Sequence, residues 1–471
     1  MEPAKRLAKF NPTMNLLALC MASYTVVTGF AVIMPFFPIF ANDILSEINL
    51  LGFTVGIALQ IGLITSSFML TRFILAPSFG DLSDSTGRKP VILVGMSLYG
   101  FLMIGFGLAY DFLTLIIVRG LQGVASAAVW PVGEALIVDT SEKGKTGRNL
   151  GYYMMSMQAG MATGPFLGFG FYFVLNKVFV LPELLSYRLT FVCVGLFGFL
   201  ATLIVVFFVT DPKTADENIP VKILYSTAFK AMGNKMLQSP SFLARIFKTG
   251  GNYRTRSLYT IYVVAVINGF GFAMIFPIVA LFLEDYYLLD PGAIALAVGI
   301  VGVLALSGAP TGGFLSDKIG RKTTVWLSGI VGGVTMMLIG MEMGLVMLLI
   351  LFALQRFLFA IMQPSFRALQ SDLTPVPVRG REFGIVQAAY NLGSVLGPIV
   401  GGYLYDVFFD VFFNLGNGLT FLGAGVTFGF AGFIAIFGGI LILVLVNQKS
   451  VLVDDYALVV LEPTIPLKPS G

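Results

Sequence analysis

The chain contains about twelve apolar segments, each about as long as a membrane-crossing helix. Such a helix needs about 20 mostly apolar residues. The segments lie at residues 14–40, 50–78, 90–110, 112–138, 149–175, 187–209, 258–284, 293–314, 322–341, 345–370, 381–408 and 419–446. Only 11% of the residues are charged, whereas soluble domains carry about 25%. We therefore predict an all-α polytopic membrane protein.

Two other interpretations of these apolar segments fail. The strands of an outer-membrane β-barrel alternate in segments of about ten residues, but these runs are long and apolar on most faces. The N-terminal stretch MEPAKRLAKFNPT is basic, yet the apolar run behind it is about twice the length of a signal-peptide core. We predict membrane helices and a retained N-terminal tail.

The distribution of lysine and arginine predicts the orientation of the chain. Of 29 such residues, 23 fall in the two tails and the loops that follow even-numbered segments, and two, Lys177 and Arg188, fall on the opposite side. Cytoplasmic loops carry the excess of positive charge. We expect a multi-pass protein of the cytoplasmic membrane with both termini in the cytoplasm. The net charge of +4 then needs no nucleic-acid partner to explain it.

A charged motif interrupts the apolar pattern twice. GDLSDSTGRK at residues 80–89 returns as GFLSDKIGRK at residues 313–322, an offset of 233 residues. The same offset relates glycines and a proline of segment 5 to those of segment 11. A single offset over many positions predicts two homologous lobes, 1–210 and 258–447, with a basic linker at 211–257 and a tail at 448–471. Repeated halves are typical of secondary transporters, whose site lies between the repeats.

Three motifs resemble the marker motifs of the major facilitator superfamily. They are G-x-L-x-D-x-x-G-R-K after segment 2, Arg119-x-x-Gln122-Gly123 in segment 4, and G-x8-G-x3-G-P-x-x-G in segment 5, which is similar to the motif of drug:proton antiporters. The last departs at Phe169, where a second glycine is usual. The resemblance spans residues 14–446. It implies twelve helices in two pseudo-symmetric six-helix bundles, with segments 1, 4, 7 and 10 around a central cavity.

The repeats and this resemblance together predict a secondary active transporter of a small amphipathic or organic molecule. We expect proton-coupled efflux by alternating access, with the lipid bilayer as surroundings and a monomer as the working unit. Alternatives of the same fold are an organic-anion or lysolipid transporter and a non-transporting membrane sensor. An enzyme is not expected, because the chain has no histidine and no G-x-S-x-G. Neither a cofactor nor a metal is expected.

The charged motif is the first set of candidate site residues. In the resembling family it forms a charge network that holds the lobes together when the site faces outward. We expect Gly80 and Gly87 to allow a tight reversal. A capped turn that only carries topogenic charge is the alternative. The remaining latch candidates are Asp84, Arg88, Lys89, Asp317, Arg321 and Lys322, with Asp139, Arg148, Asp372 and Arg379 as partners.

Polar side chains inside the apolar segments are the second set. An intramembrane charge costs about 2.5 to 3.5 kcal/mol on insertion scales, so such residues should face water or a partner. Glu134 and Arg367 are repeat mates of opposite sign, and we hypothesise that they pair across the lobes as a cytoplasmic gate. Separate salt bridges within each lobe are the alternative. Glu134 is also the first candidate proton carrier, followed by Asp84 and Asp139. The other cavity candidates are Arg72, Arg119, Gln122, Gln158, Arg356, Gln363 and Asn391.

The glycines of segment 5 are the third set. Gly160, Gly164 and Gly168 recur at i, i+4 and i+8 and predict close packing against another helix. Pro165 frees a carbonyl and favours a bend. A close, bendable seam would help to seal the cavity against leak. The copies in segment 11 are Gly393, Gly397, Pro398 and Gly401.

Overall fold

The computed structural model of the 471-residue chain describes residues 12–50, 53–142, 145–211, 256–374, 379–416 and 419–447. The first half contains α1 (Pro12–Ile44), α2 (Ile57–Thr86), α3 (Arg88–Gly107), α4 (Phe112–Thr140), α5 (Thr146–Phe173, continued by a π-helical turn, Val174–Val178) and α6 (Glu183–Phe208). The second half contains α7 (Arg256–Tyr287), α8 (Pro291–Ile319), α9 (Arg321–Ile339), α10 (Leu345–Asp372), α11 (Arg379–Phe408) and α12 (Gly425–Leu445).

Two helices of the second half are interrupted. α7 breaks between Ile275 and Ile278, at Pro277, and α8 breaks between Ala305 and Gly308. Two antiparallel hairpins follow α1 and α11: β1 (Ile48–Leu50) pairs with β2 (Phe53–Val55), and β3 (Phe412–Gly416) pairs with β4 (Leu419–Leu422). We call the end of the bundle that carries residues 80–89 and 313–322 the motif end, and the end that carries the hairpins the hairpin end.

The predicted membrane architecture is confirmed. Within the described residues, eleven helices are long and apolar enough to cross a membrane. The twelfth helix, α5, is also long enough, at 28 residues, but it is less apolar because it is rich in glycine and polar side chains. The predicted linker and C-terminal tail fall almost entirely on residues 212–255 and 448–471, which lie outside the described residues, so the domain boundaries stay a prediction.

The structure corrects two boundaries of predicted segments. Residues 50 and 53–55 of predicted segment 2 and residues 419–422 of predicted segment 12 belong to the hairpins instead. Short apolar runs fit a strand as well as a helix. The charged motif was expected to be a loop, but α2 continues through it to Thr86. Gly87 alone makes the reversal, with φ 94°, and its mate Gly320 has φ 95°. Gly80 is helical, so its predicted part in the turn was wrong.

Glycines bring α5 against α1 inside the first lobe. A Cβ at Gly160 would lie 2.9 Å from the Tyr24 carbonyl oxygen, and one at Gly164 would lie 2.7 Å from that of Thr28. A Cβ at Gly168 would lie 2.8 Å from the ring of Phe36. These distances are shorter than normal contacts, so the two backbones touch only because the side chains are absent.

The same arrangement joins α11 to α7 in the second lobe. A Cβ at Gly393 would lie 2.0 Å from the Val266 carbonyl oxygen. A Cβ at Gly397 or Gly401 would lie as close to the backbone of α7, at 2.3 and 2.4 Å respectively. Pro398, the mate of Pro165, instead faces the other lobe. The repeated glycines therefore hold each lobe together internally.

The first contact between the lobes is the seam of α2 with α11. A Cβ at Gly62 would lie 2.2 Å from the Pro398 carbonyl oxygen, and one at Gly402 would lie 2.2 Å from that of Ala58. At the hairpin end, the Asp406 carboxylate accepts hydrogen bonds from the backbone N–H groups of Ala58 (3.1 Å) and Leu59 (2.8 Å). One lobe therefore caps a helix of the other, whose first N–H groups have no partner in their own helix.

The second contact, α5 with α8, is built differently. Phe169, the mate of Gly402, packs on Gly292, where a Cβ would lie 3.2 Å from its ring. The N-terminus of α8 is capped from its own lobe, since Asp290 accepts hydrogen bonds from Gly292 N (2.9 Å) and Ala293 N (3.2 Å). One seam is thus closed by backbones and the other by an aromatic ring.

Over the described residues, the lobes pack against one another at the hairpin end. There the second part of α7 packs against α1, and Glu284 lies close enough to Asp43 and Glu183 of the first lobe to interact electrostatically. Towards the motif end, α4 and α10 are not packed together over their described residues. The space between the lobes is therefore open to the motif end.

Candidate functional site

Charged side chains from both lobes meet in the space between them. Glu134 on α4 is half-buried and lies within electrostatic range of Arg72 on α2 and of Arg367 on α10. Arg72 belongs to the lobe of Glu134, whereas Arg367 belongs to the other lobe. Glu134 lies six residues before the end of α4, about 9 Å from the motif end at 1.5 Å per residue.

Glu134 and Arg367 face one another without touching. These two described side chains form no ion pair within 4 Å, and Arg367 is exposed. Their separation follows from the open motif end, because the lobes that carry them are apart at this level. The hypothesis of a pair across the lobes therefore applies to a conformation in which the motif end closes.

Aromatic residues surround this cluster. The Arg72 guanidinium carbon lies 5.5 Å from the ring centroid of Trp130 on α4, a favourable cation–π distance. The Tyr390 phenol on α11 lies in electrostatic range of Arg72, Arg356 and Arg367. Tyr390 is thus the residue of the second lobe that links the charges at the centre of the cavity. No motif or repeat position singled out Tyr390 in advance.

The structure corrects the placement of Arg119 and Gln122. Both were expected to face the cavity, but they are 3% and 0% exposed in the core of the first lobe. Arg119 donates a hydrogen bond to Gln122 Oε1 (3.0 Å), and its guanidinium carbon lies 4.8 Å from the ring centroid of Phe37 and 5.3 Å from that of Phe106. The aromatic rings replace the water that a charge would otherwise need. A part of Arg119 in coupling remains a prediction.

Three further cavity candidates lie on partly open surfaces. Gln158 is exposed, and Gln363 is half-buried. Asn391 is half-buried and accepts a hydrogen bond from Gln387 within α11 (3.2 Å). They do not join the cluster around Glu134, and substrate contact by any of them stays a prediction.

The first copy of the charged motif ties four helices of one lobe together. Arg88, at the start of α3, pairs with Asp84 of α2 (2.8 Å) and with Asp139 at the end of α4 (3.0 Å). The Lys89 ammonium donates to the carbonyls of Val206 (2.9 Å) and Val209 (2.6 Å), where α6 ends. A cation at a helix C-terminus satisfies carbonyls that have no partner in the helix.

The second copy reproduces the central pair of the first. Arg321 pairs with Asp372 and donates to the Ala368 carbonyl (3.2 Å). These residues are the 233-residue mates of Arg88 and Asp139. Asp317 is exposed, Lys322 is half-buried, and Arg148 is exposed. The role predicted for Arg379 concerns a side chain outside those that the structure describes. All the pairs described lie within one lobe, so a latch between the lobes stays a prediction.

Breaking the Arg88–Asp139 pair should destabilise the first lobe. Arg88 is 12% exposed and Asp139 35% exposed, so the pair is better shielded than a surface pair. We expect a double-mutant cycle of Arg88→Gln and Asp139→Asn to give a coupling energy of about 1 kcal/mol or more in thermal unfolding, at or above the upper end for exposed pairs.

The control for this cycle is the exposed pair of Lys145 with Glu142, which are 48% and 52% exposed. The cycle of Lys145→Gln and Glu142→Gln should give a coupling near zero. Equal coupling energies for the two cycles would contradict the structural role of Arg88.

Sequence reasoning missed a buried acid and the cap across the lobes. Glu382 is 0% exposed and accepts a hydrogen bond from the Tyr262 hydroxyl at the motif end of the second lobe. It is the repeat mate of Asn149, which is also buried, and this relation would have pointed to it.

Comparison with known proteins agrees with this architecture. The profile of the Major Facilitator Superfamily matches residues 19–252 and 261–457. The multi-drug resistance efflux pump PmrA of Streptococcus pneumoniae is 26% identical over 397 residues, which cover 82% of this chain and 88% of PmrA. The quinolone resistance protein NorA of Staphylococcus aureus is 26% identical over 245 residues, which cover 52% of this chain and 57% of NorA.

A solved structure shares the fold. A bacterial homolog of the human lysosomal transporter Spinster, in an inward-facing and occupied conformation, superposes with a TM-score of 0.71 at 15% identity, over 93% of this chain and 96% of that one. Two six-helix lobes around a cavity open at one end define a membrane transporter fold. The chain belongs to the Major Facilitator Superfamily.

Proposed function

We propose that this protein is a multidrug-type efflux transporter of the plasma membrane, which exports small amphipathic molecules by alternating access in exchange for protons. The observation that carries the proposal is the charged cluster of Glu134, Arg72 and Arg367 between two lobes that are closed at one end and open at the other. The sequence similarity to PmrA and NorA supports export of drug-like compounds.

The positive charge of the loops at the motif end supports placing both termini, and the open end of the cavity, in the cytoplasm. In this orientation the cavity collects substrate from inside the cell. Closure of the motif end brings Arg367 towards Glu134, and protonation of Glu134 removes the charge that attracts it. Proton binding therefore shifts the equilibrium between the two conformations. Both lobes come from one chain, so a monomer suffices.

A second candidate function is the export of organic anions or lysolipids. It is favoured by the charge between the lobes, where Arg72 and Arg367 outnumber Glu134. Guanidinium groups bind carboxylates and phosphates in a bidentate geometry. The aromatic side chains of Trp130 and Tyr390 suit the apolar part of such a molecule.

Counterflow in proteoliposomes tests the proposal. We expect a cationic dye to exchange across the membrane, and net dye movement to follow an imposed pH gradient and to stop when a protonophore removes it. Organic anions and lysolipids are assayed alongside, and faster exchange of either would favour the second function. Binding without exchange of any compound would contradict transport and indicate a membrane sensor.

A further inference from the structure

The second lobe contains a pocket whose lining includes none of Glu134, Arg72 and Arg367. It lies among α7, α9, α10 and α12, at the middle of their length. Its wall is mostly apolar and includes the aromatic residues Phe272, Phe352 and Phe359 and four glycines, of which Gly271 and Gly332 leave the most open space.

Three polar side chains reach this pocket and lack protein partners. Asn268, Gln355 and Arg356 form no hydrogen bond or ion pair with another group of the described residues. The Arg356 guanidinium carbon lies 5.2 Å from the ring centroid of Phe272. Phe272 stacks in turn on Phe359, with centroids 5.2 Å apart. The cation is held in place by rings while its N–H donors remain available.

The first lobe shows what fills this position when no pocket is formed. Tyr99, the repeat mate of Gly332, is 4% exposed and lies beside the buried Arg119. Gln122, the mate of Gln355, accepts the hydrogen bond of Arg119. In the second lobe the tyrosine is replaced by glycine, and the equivalent glutamine has no such partner. The two lobes can therefore be compared at equivalent positions: side chains fill this position in the first lobe, and a pocket lies there in the second.

We infer that this pocket binds an amphipathic organic anion, with its acidic head on Arg356 and its apolar part along the glycines of α9 and the alanines of α12. Gln355 and Asn268 would donate further hydrogen bonds to the head. A cationic ligand is disfavoured, because the pocket offers an unpaired guanidinium and no carboxylate among its lining residues. This inference concerns binding alone and does not depend on the transport proposed above.

The test measures binding of dodecanoate, and of its uncharged analogue dodecanol, to the full-length protein in nanodiscs. Empty nanodiscs give the background of partition into lipid. Arg356→Gln should weaken dodecanoate binding by about ten- to one-hundred-fold, the effect of losing charge-assisted hydrogen bonds. It should leave dodecanol binding nearly unchanged.

Gly332→Tyr copies the residue of the first lobe and should abolish binding of both compounds above background. The nearest atom to a Cβ at Gly332 is Leu358 Cβ at 3.7 Å, so the backbone accommodates the substitution. Gly271→Leu is a second filling variant, since a Cβ there meets only the Ala431 carbonyl oxygen, at 3.9 Å. Gly170→Tyr is the control, because a Cβ at Gly170 has no atom within 4 Å and it lies in the other lobe. It should bind as the wild type does.

Wild-type affinity for dodecanoate in both filling variants, or in Arg356→Gln, would overturn the inference. So would binding of the wild type at the level of empty nanodiscs. Thermal unfolding of each variant shows whether the lobe remains folded. Because binding is measured without a gradient, a wild-type protein that binds dodecanoate but exchanges no dye would contradict the proposed function and leave this inference standing.

Discussion

Replacing Glu134 by glutamine is expected to lower transport driven by a pH gradient by about 5- to 150-fold, the range of typical coupling free energies between two sites. Glutamine keeps the size of the side chain and removes its titration. Exchange of substrate without a gradient should persist, because the lobes can still alternate. The measurement compares dye efflux with counterflow in the same proteoliposomes.

The two arginines near Glu134 should respond differently to substitution. Arg72 is in the lobe of Glu134, whereas Arg367 is in the other lobe and, in the proposed mechanism, approaches Glu134 only when the motif end closes. The double charge exchange, Glu134→Arg with Arg367→Glu, should retain transport that each single change loses. Since Arg72 then faces a second arginine, the double variant should recover only part of the wild-type rate.

Glu142→Gln is the matched control for Glu134→Gln. Glu142 is 52% exposed at the motif end. The Glu142→Gln protein should therefore transport at the wild-type rate. If the Glu134 variant responds to the pH gradient as the wild type does, Glu134 is not the proton carrier. An inactive double charge exchange would count against the pair with Arg367.

The second large effect is expected from Gly62→Ala on the seam of α2 with α11. The new Cβ would lie 2.2 Å from the Pro398 carbonyl oxygen, and neither backbone can yield without separating the lobes. Overpacking of this kind typically costs about 1 to 3 kcal/mol. We expect a lower unfolding temperature and a loss of most transport activity, because the seam aligns the two halves of the cavity.

Gly170→Ala provides the comparison for Gly62→Ala. It makes the same change within another helix of the same lobe, where a Cβ has no atom within 4 Å. It should be neutral or more stable by about 0.5 to 1 kcal/mol, since alanine favours helix over glycine. A Gly62→Ala protein that is as stable and active as Gly170→Ala would show that the seam is looser than the structure has it.

The duplication made most of the fold predictable from the sequence. One offset placed the lobes and the charged motifs, and it singled out the glycines at 160, 164 and 168 that lie against α1. The grouping of Glu134 with Arg367 also came from their repeat positions. Charges inside apolar helices are expensive, so their side chains converge on the same space.

The remaining features depend on tertiary contacts that periodicity does not encode. Helical spacing puts Arg119 on the same face as other polar residues. It cannot distinguish a face that points into the cavity from one that is surrounded by phenylalanine side chains in the core. The short runs of the hairpins fit strand and helix equally well. The hydrogen bonds of Asp406 to α2 join residues that are 348 and 347 positions apart in the chain, so no local pattern reveals them.

Because the two seams are built differently, each half of the protein fits the other half better than it fits a copy of itself. At one pair of equivalent positions, Gly402 of α11 meets Leu59 of α2 in the first seam, whereas Phe169 of α5 meets Gly292 of α8 in the second. Two copies of the first half would set Phe169 against Leu59 and leave the start of α2 without its cap. Two copies of the second half would set Gly402 against Gly292 and leave a gap. Since the duplication, the two halves have become complementary. Each half packs well against the opposite half and poorly against a second copy of itself.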